Sequence, residues 1–180
     1  MTSAEVARKA RHAQRAFLKY RGQGMSVDEA AAWAANGEAE SGNNPHSQQP
    51  GGPGYGLFQW GSNVAKYDRR RDFRKAMGKS IYGSSEADQD RFREYELSHQ
   101  WKGAQRLIDK AQGAGGKAAA ITRHYEIPKE KARDAADRAN IAETIVKLQI
   151  EFKNAPPGIT AKAMGSGKQP AISHAYSGHH

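Results

Sequence analysis

Glu40 is the residue on which chemistry is most legible. It closes an alanine-rich stretch and is followed at once by Ser41-Gly42-Asn43-Asn44-Pro45. After a loop of glycine, proline and amides comes Gly54-Tyr55-Gly56-Leu57-Phe58-Gln59-Trp60. A carboxyl group, a side-chain amide and aromatic rings gathered in one cleft suit the cleavage of a sugar polymer. The acid protonates a leaving oxygen, the amide hydrogen-bonds the sugar, and the rings stack on its apolar face. Read alone, Glu40 is more simply a surface glutamate at a frayed helix end, since structural acids outnumber catalytic ones. Tyr55, Phe58 and Trp60 are equally core residues.

The elements that position Glu40 follow from local signals. Ser26-Val27-Asp28-Glu29 has the pattern of a capping box, with Ser26 at the N-cap. It predicts a helix from about Val27 to Glu40, stopped at Gly42. Trp33, Gly37 and Glu40 share one face of it, with Asn36 beside them. Glu38 lies roughly 200° around the helix from Glu40, so the two acids cannot enter one cleft. Residues 42–56 hold five glycines and three prolines and read as a long loop. Any sheet is small, with a hairpin around residues 52–61 as its best position. The glycines at 51, 52, 54 and 56 are not a phosphate cradle, because no apolar strand precedes them and no Gly-Lys-Ser/Thr follows. Their use is a tight hairpin or a close backbone approach to a ligand.

Elsewhere the pattern is helical. In residues 3–22, Val6, Ala10, Ala13 and Phe17 build one apolar face among basic residues. Gly22 and Gly24 end that segment, which reads as an N-terminal basic helix over 1–24. Residues 86–111 read as a helix or helix pair, broken at Gly113 to Gly116. Two further stretches, 117–126 and 129–153, are separated at Ile127-Pro128. The catalytic domain then spans 25–153, and the Pro/Gly/Ser/Ala-rich segment 154–180 reads as an extended or disordered tail.

Composition bounds the function. The 180 residues suffice for one domain, and at 37% hydrophobic, much of it alanine, the core should be thin and helical. There is no cysteine, which excludes disulfides and thiolate metal sites. The seven histidines are dispersed, with no spaced pair on one helix face, and no cofactor or metal is expected. A net charge of +9 favours polyanionic partners: nucleic acid, anionic membrane, or a bacterial wall. Arg69-Arg70-Arg71 is the densest basic run. The start of the chain shows no secretory signal, and no apolar run has the length of a membrane span.

Together the motifs resemble the phage tail lysozymes, a branch of the lysozyme superfamily. The resemblance rests on Glu40-Ser41-Gly42, Asn44-Pro45, Gly54 to Trp60, Gln89 to Leu97, Tyr125-Glu126-Ile127-Pro128 and the helix Arg138 to Ile145. It covers about residues 25–150 and extends to goose-type lysozymes and lytic transglycosylases. Asn36-Gly37 reverses the family's usual Gly-Asn, and Ser62-Asn63 replaces its usual segment after the tryptophan. The resemblance implies a mainly α, α+β lysozyme-like domain with a short hairpin beside the cleft. It implies that Glu40 is the catalytic acid and that Gln59 lines the sugar cleft, with Ser41, Tyr55, Gly56, Trp60 and Tyr125 as further substrate contacts. No motif fixes a second carboxylate. Asp68 is the nearest candidate after the hairpin, while Glu96 and Glu126 are expected to pin helices together. The expected partner is the peptidoglycan glycan strand, cut between N-acetylmuramic acid and N-acetylglucosamine in a virion-borne role, alongside other phage virion proteins. A lytic transglycosylase, an inactive structural tail protein and a nucleic-acid-binding protein are the alternatives. The last leaves the 40–60 motif unexplained.

Overall fold

The computed structural model describes residues 1–63, 67–128 and 130–153. The segment 154–180, expected to be a tail, lies outside the described residues. Eight α-helices and one π-helical turn dominate the described chain, with a single two-stranded ribbon. The helices are α1 (Ser3–His12), α2 (Gln14–Gly22), α3 (Val27–Ser41), α4 (Arg69–Met77), α5 (Glu86–Ser98), α6 (Lys102–Lys110), α7 (Gly113–Ile121) and α8 (Lys131–Lys153). The π turn, Thr122–Glu126, follows α7 without a break. Residues Met1–Val146 form one compact unit. The basic helices α1 and α2 both pack against α3.

α3 is the central element. Ser26 accepts a hydrogen bond from the Glu29 N–H and starts it. Gly42, left-handed at φ 64°, stops it, and the N–H groups of Gly42 and Asn43 return to the carbonyls of Glu38 and Gly37. Both ends therefore fall where the caps predict. Every residue from Ala30 to Glu38 is buried. A helix enclosed on all sides needs small residues, because neighbours approach from several directions. α2 packs on one flank and α7, itself Gly/Ala-rich, on another. At Gly37 the close neighbour is Asn43, just beyond the helix: a Cβ there would lie 2.3 Å from its Oδ1.

The alanine core is extended by rings. Trp33 meets Phe58 and Tyr125 edge-on, each at 5.4 Å between centroids. The chain of contacts continues from Phe58 to Trp60, from Trp60 to Phe92 and from Phe92 to Phe73. Such edge-to-face pairs contribute about 0.5–1.5 kcal/mol each beyond area burial.

Three elements differ from expectation. The N-terminal segment breaks at Ala13, where Gln14 Nε2 donates to the Ala10 carbonyl, the acceptor its own N–H would use in an unbroken helix. Gly115 does not interrupt α7; it lets Glu143 of α8 approach, since a Cβ would meet Glu143 Oε1 at 2.4 Å. The ribbon pairs β1 (Ser62–Asn63) with β2 (Tyr67–Asp68), later than the expected hairpin. Within the expected hairpin, Tyr55 and Trp60 exchange reciprocal backbone bonds as a single antiparallel bridge that closes a tight loop over residues 55–60.

Candidate active site

Glu40 lies in the last turn of α3 with its side chain 18% exposed. Arg138 of α8 donates to it, Nη2 to Oε1, at 2.6 Å. The other arm of the same guanidinium, Nη1, reaches Asn36 Oδ1 at 3.0 Å. Asn36 is fully buried and donates to the carbonyls of Ala32 and Ala118, while Thr122 Oγ1 donates to its Oδ1. One amide thus ties α3, α7 with its π turn, and Arg138 together. The Asn36-Gly37 order, which departs from the family pattern, places the amide in this network and the glycine against Asn43.

A second carboxylate, Glu96 of α5, is fully buried. Arg69 grips it through Nε and Nη2, both at 2.7 Å, while Trp60 Nε1 and the Tyr125 hydroxyl donate at 2.9 and 2.6 Å. Four donors on one buried carboxylate offset its desolvation and lock α4, α5, the 55–60 loop and the π turn. Burial, followed by the Glu96 charge, pushes the Tyr125 phenol upward, so it serves as a donor. The expectation that Glu96 pins helices agrees with this geometry.

The third carboxyl group is Glu126, at the end of the π turn. Its Oε1 is buried and has no hydrogen-bond partner. Desolvation, with the Glu40 charge next, pushes its pKa well above the ordinary carboxylate range. Sequence reasoning assigned Glu126 a pinning role, but no hydrogen bond or ion pair among the described residues gives it one. The adjacent Tyr-Glu-x-Pro motif marked the segment, though not its π geometry.

Asp68, the expected second carboxylate, caps α4 instead: its Oδ1 accepts from the Arg71 N–H at 3.0 Å. It borders a surface concavity with Arg70, Arg71, Arg74 and Tyr82. Of the basic run, Arg71 is exposed, Arg70 reaches Tyr82, and Arg69 is the buried clamp on Glu96. Glu38 turns the other way from Glu40 and meets His12 Nδ1 at 2.6 Å.

The sugar-contact candidates divide by exposure. Trp60 and Tyr125 are 0% and 1% exposed, so their rings are packing elements and cannot offer a stacking face. Tyr55 is 8% exposed and packs on the exposed Tyr82 at 4.7 Å. Ser41 Oγ donates to the carbonyls of Gly37 and Leu57, holding the loop against α3. Gly56, at φ 84°, presses on Gln89, whose Oε1 accepts from the Leu57 N–H and would lie 2.5 Å from a Cβ at residue 56. Gln59 adopts a left-handed φ of 47°, and its Nε2 donates to the carbonyls of Ser47 and Gly56. Its Oε1 is buried without a partner. Gln89, which also donates to the Pro45 carbonyl at 2.7 Å, positions the whole loop from below.

A central helix ending in a half-buried acid, a glycine-rich loop folded against it and a helical surround define a small lysozyme-like domain. The family model for phage tail lysozyme matches residues 11–148, and the chain belongs to that family. The match includes Glu40, the 54–60 loop, Glu96, Glu126 and Arg138. The search of curated proteins found no match. Membership makes this a lysozyme-like protein of a phage tail family. Among the described residues no helix is long and apolar enough to cross a membrane.

Proposed function

We propose that the protein is a glycosidase that cuts the β-1,4 bond between N-acetylmuramic acid and N-acetylglucosamine of peptidoglycan, with Glu40 as the general acid. The observation that carries the proposal is the setting of Glu40. It stands half-buried at the end of the central helix, braced by Arg138, while Ser41 ties the glycine-rich loop to the same turn. As the glycosidic bond breaks, the acid protonates the leaving oxygen and positive charge develops on the sugar ring. Gln59 shapes the loop that flanks Glu40, its Nε2 donating to the carbonyls of Ser47 and Gly56. Trp60 and Tyr125 hold the wall behind it rather than stacking on sugar. The family points to a virion-borne enzyme that opens the wall during infection. The net charge of +9 favours approach to an anionic wall.

The test is mass spectrometry of digested peptidoglycan. Products with free reducing ends carry the hydrolase form of the proposal. 1,6-Anhydro products mean that the sugar's own 6-hydroxyl attacks, which makes the protein a lytic transglycosylase. No products from the folded protein would leave it a structural tail component.

A further inference from the structure

We propose that the concavity walled by Arg70, Arg71, Arg74 and Tyr82 is a binding site for the peptide stems of peptidoglycan, which it holds by their carboxylates. The proposal rests on the reading of the chain as a peptidoglycan-cutting enzyme and names the part of that substrate, beside the sugar, that the protein grips. Three observations carry it.

The first is that these cations work against their own helix. Arg70 and Arg71 stand in the first turn of α4, where a positive charge opposes the helix dipole. Arg74 follows Arg70 by four residues and Arg71 by three, so like charges adjoin on the helix surface and repel. Arg69, at the head of the run, is the clamp on Glu96, and the other three have no part in that contact. The nearby acids offset them little: Asp68 uses Oδ1 for the α4 cap, and Asp72 stands 3.9 Å from Arg71 Nε. A local arrangement that disfavours its own element points to a use outside folding. The second is shape and chemistry. The concavity measures about 410 Å³, within the range of small-ligand sites, about 300–1,000 Å³. Buried Ile81 lines it, as does the exposed ring of Tyr82, whose hydroxyl accepts from Arg70. Guanidiniums match carboxylates in a two-pronged fit, and the ring and the aliphatic side chain suit small apolar groups. A stem peptide offers both, as alanine methyl groups and free carboxylates on one short chain.

The third is position. Tyr82 packs on Tyr55 at 4.7 Å between centroids, and the Gly83 N–H donates to the Tyr55 hydroxyl at 3.3 Å. Tyr55 opens the 55–60 loop, which Ser41 ties to the turn that carries Glu40. The concavity and the acid are thus joined through one loop, as a branched substrate requires: sugar at Glu40, stem at the arginines. Asp68 argues against a polyphosphate such as nucleic acid. Its carboxylate lies among the arginines and repels a dense line of phosphates, whereas carboxylates spaced along a peptide can pair with one guanidinium each.

The experiment is calorimetric binding of a soluble muropeptide, one disaccharide with its peptide stem, to the full chain. It is run at about 0.15 M salt, where charges more than about 8 Å apart are largely screened. The comparison probes are the same muropeptide with its stem carboxyls converted to amides, and a DNA oligonucleotide. The test variant combines Arg71→Gln with Arg74→Gln. The control of equal charge combines Arg11→Gln with Arg15→Gln, at exposed positions of α1 and α2. Wild type should bind the free-carboxylate probe about three- to tenfold tighter than the amidated one, as one or two exposed ion pairs allow. The test variant should bind both muropeptides alike, and the control should discriminate as wild type does. The amidated probe on wild type decides the matter even if the test variant misfolds. Equal affinity of wild type for the two muropeptides, discrimination retained in the test variant, or an equal loss in the control overturns the proposal. Tighter binding of the oligonucleotide than of the free-carboxylate muropeptide, lost in the test variant, overturns it in favour of nucleic acid. Binding needs no turnover, so the two readings fail separately. A chain that cuts peptidoglycan without this discrimination keeps the proposed function and loses the stem site. A chain that discriminates and cuts nothing keeps the stem site and loses the role of Glu40.

Discussion

Arg138 Nη2 and Glu40 Oε1 are 2.6 Å apart, and the guanidinium that makes this contact is itself only 7% exposed. α8 therefore reaches across to the end of α3 and fixes the acid. The same residue, through Asn36, fixes the helix that carries it. Replacing Arg138 with Met leaves Glu40 and Asn36 Oδ1 short of a donor. The expected cost is about 3 kcal/mol, the lower part of the range for breaking a buried pair, because Glu40 keeps some solvent. Urea denaturation of Arg138→Met against wild type measures it. A change below about 0.5 kcal/mol would mean that the pair holds nothing.

Glu40→Gln retains size and hydrogen bonding and removes the transferable proton. Wall lysis should fall at least ~100-fold, the low end of general-acid contributions, with the circular dichroism spectrum unchanged. Glu38→Gln is the internal control. Glu38 faces His12 on the opposite side of α3, so turnover per folded molecule should match wild type. Lysis within a few-fold of wild type in Glu40→Gln would remove Glu40 from the mechanism.

Much of this arrangement was legible in the chain, for local reasons. The caps of α3 are short-range features, and Ser26 and Gly42 stand where the helix begins and ends. The opposition of Glu38 and Glu40 follows from helical rotation alone. The partner of the acid was not legible: the resemblance marked the helix from Arg138 to Ile145, but Arg138 lies 98 residues from Glu40 and nothing in that segment says which residue it meets. The π turn was hidden for a related reason. A 117–126 segment with helical spacing gives no sign that its last turn widens, and only the left-handed Ile127 and the environment of Glu126 expose it. The tyrosine and tryptophan of the motifs read as sugar platforms because aromatic side chains serve both uses, and burial decides between them.

Asp68 tests a sequence expectation directly. Its carboxylate caps α4, and Asn caps a helix about as well as Asp. Asp68→Asn should therefore leave both stability and turnover close to wild type, and Asp68→Ala should cost about 1 kcal/mol with turnover per folded molecule unchanged. A strong loss of reducing-end products in folded Asp68→Asn would return Asp68 to the mechanism as the group that positions water.

Gln59 combines a strained backbone with two stapling bonds to Ser47 and Gly56. Gln59→Ala removes both bonds and leaves the left-handed φ. The loop should loosen, with a stability loss of about 1–2 kcal/mol and a higher KM. Gln59→Gly relieves the backbone but also lacks the amide. It should recover part of the stability and none of the KM. If KM follows stability in both variants, Gln59 acts only on loop order and receives no sugar.

The pH dependence of stability should carry the signature of Asp88. Hydrogen bonding from Lys79, then from the Ser85 hydroxyl, holds its carboxyl well below the usual carboxylate range, with Arg91 adding to the effect. A depressed folded pKa means that the unfolded chain binds the proton more readily. Stability from this group is therefore fully present above the unfolded value of about 3.9 and is lost as pH falls from there through the folded value. Asp88→Asn removes the titration while keeping an acceptor for the Ser85 cap. The melting temperature of wild type should exceed that of Asp88→Asn by a constant margin from pH 5 to 7. The margin should then shrink steadily as the pH is taken below about 4. A margin that stays level down to pH 2 would mean that Asp88 stabilises α5 through cap geometry alone and that its charge contributes nothing.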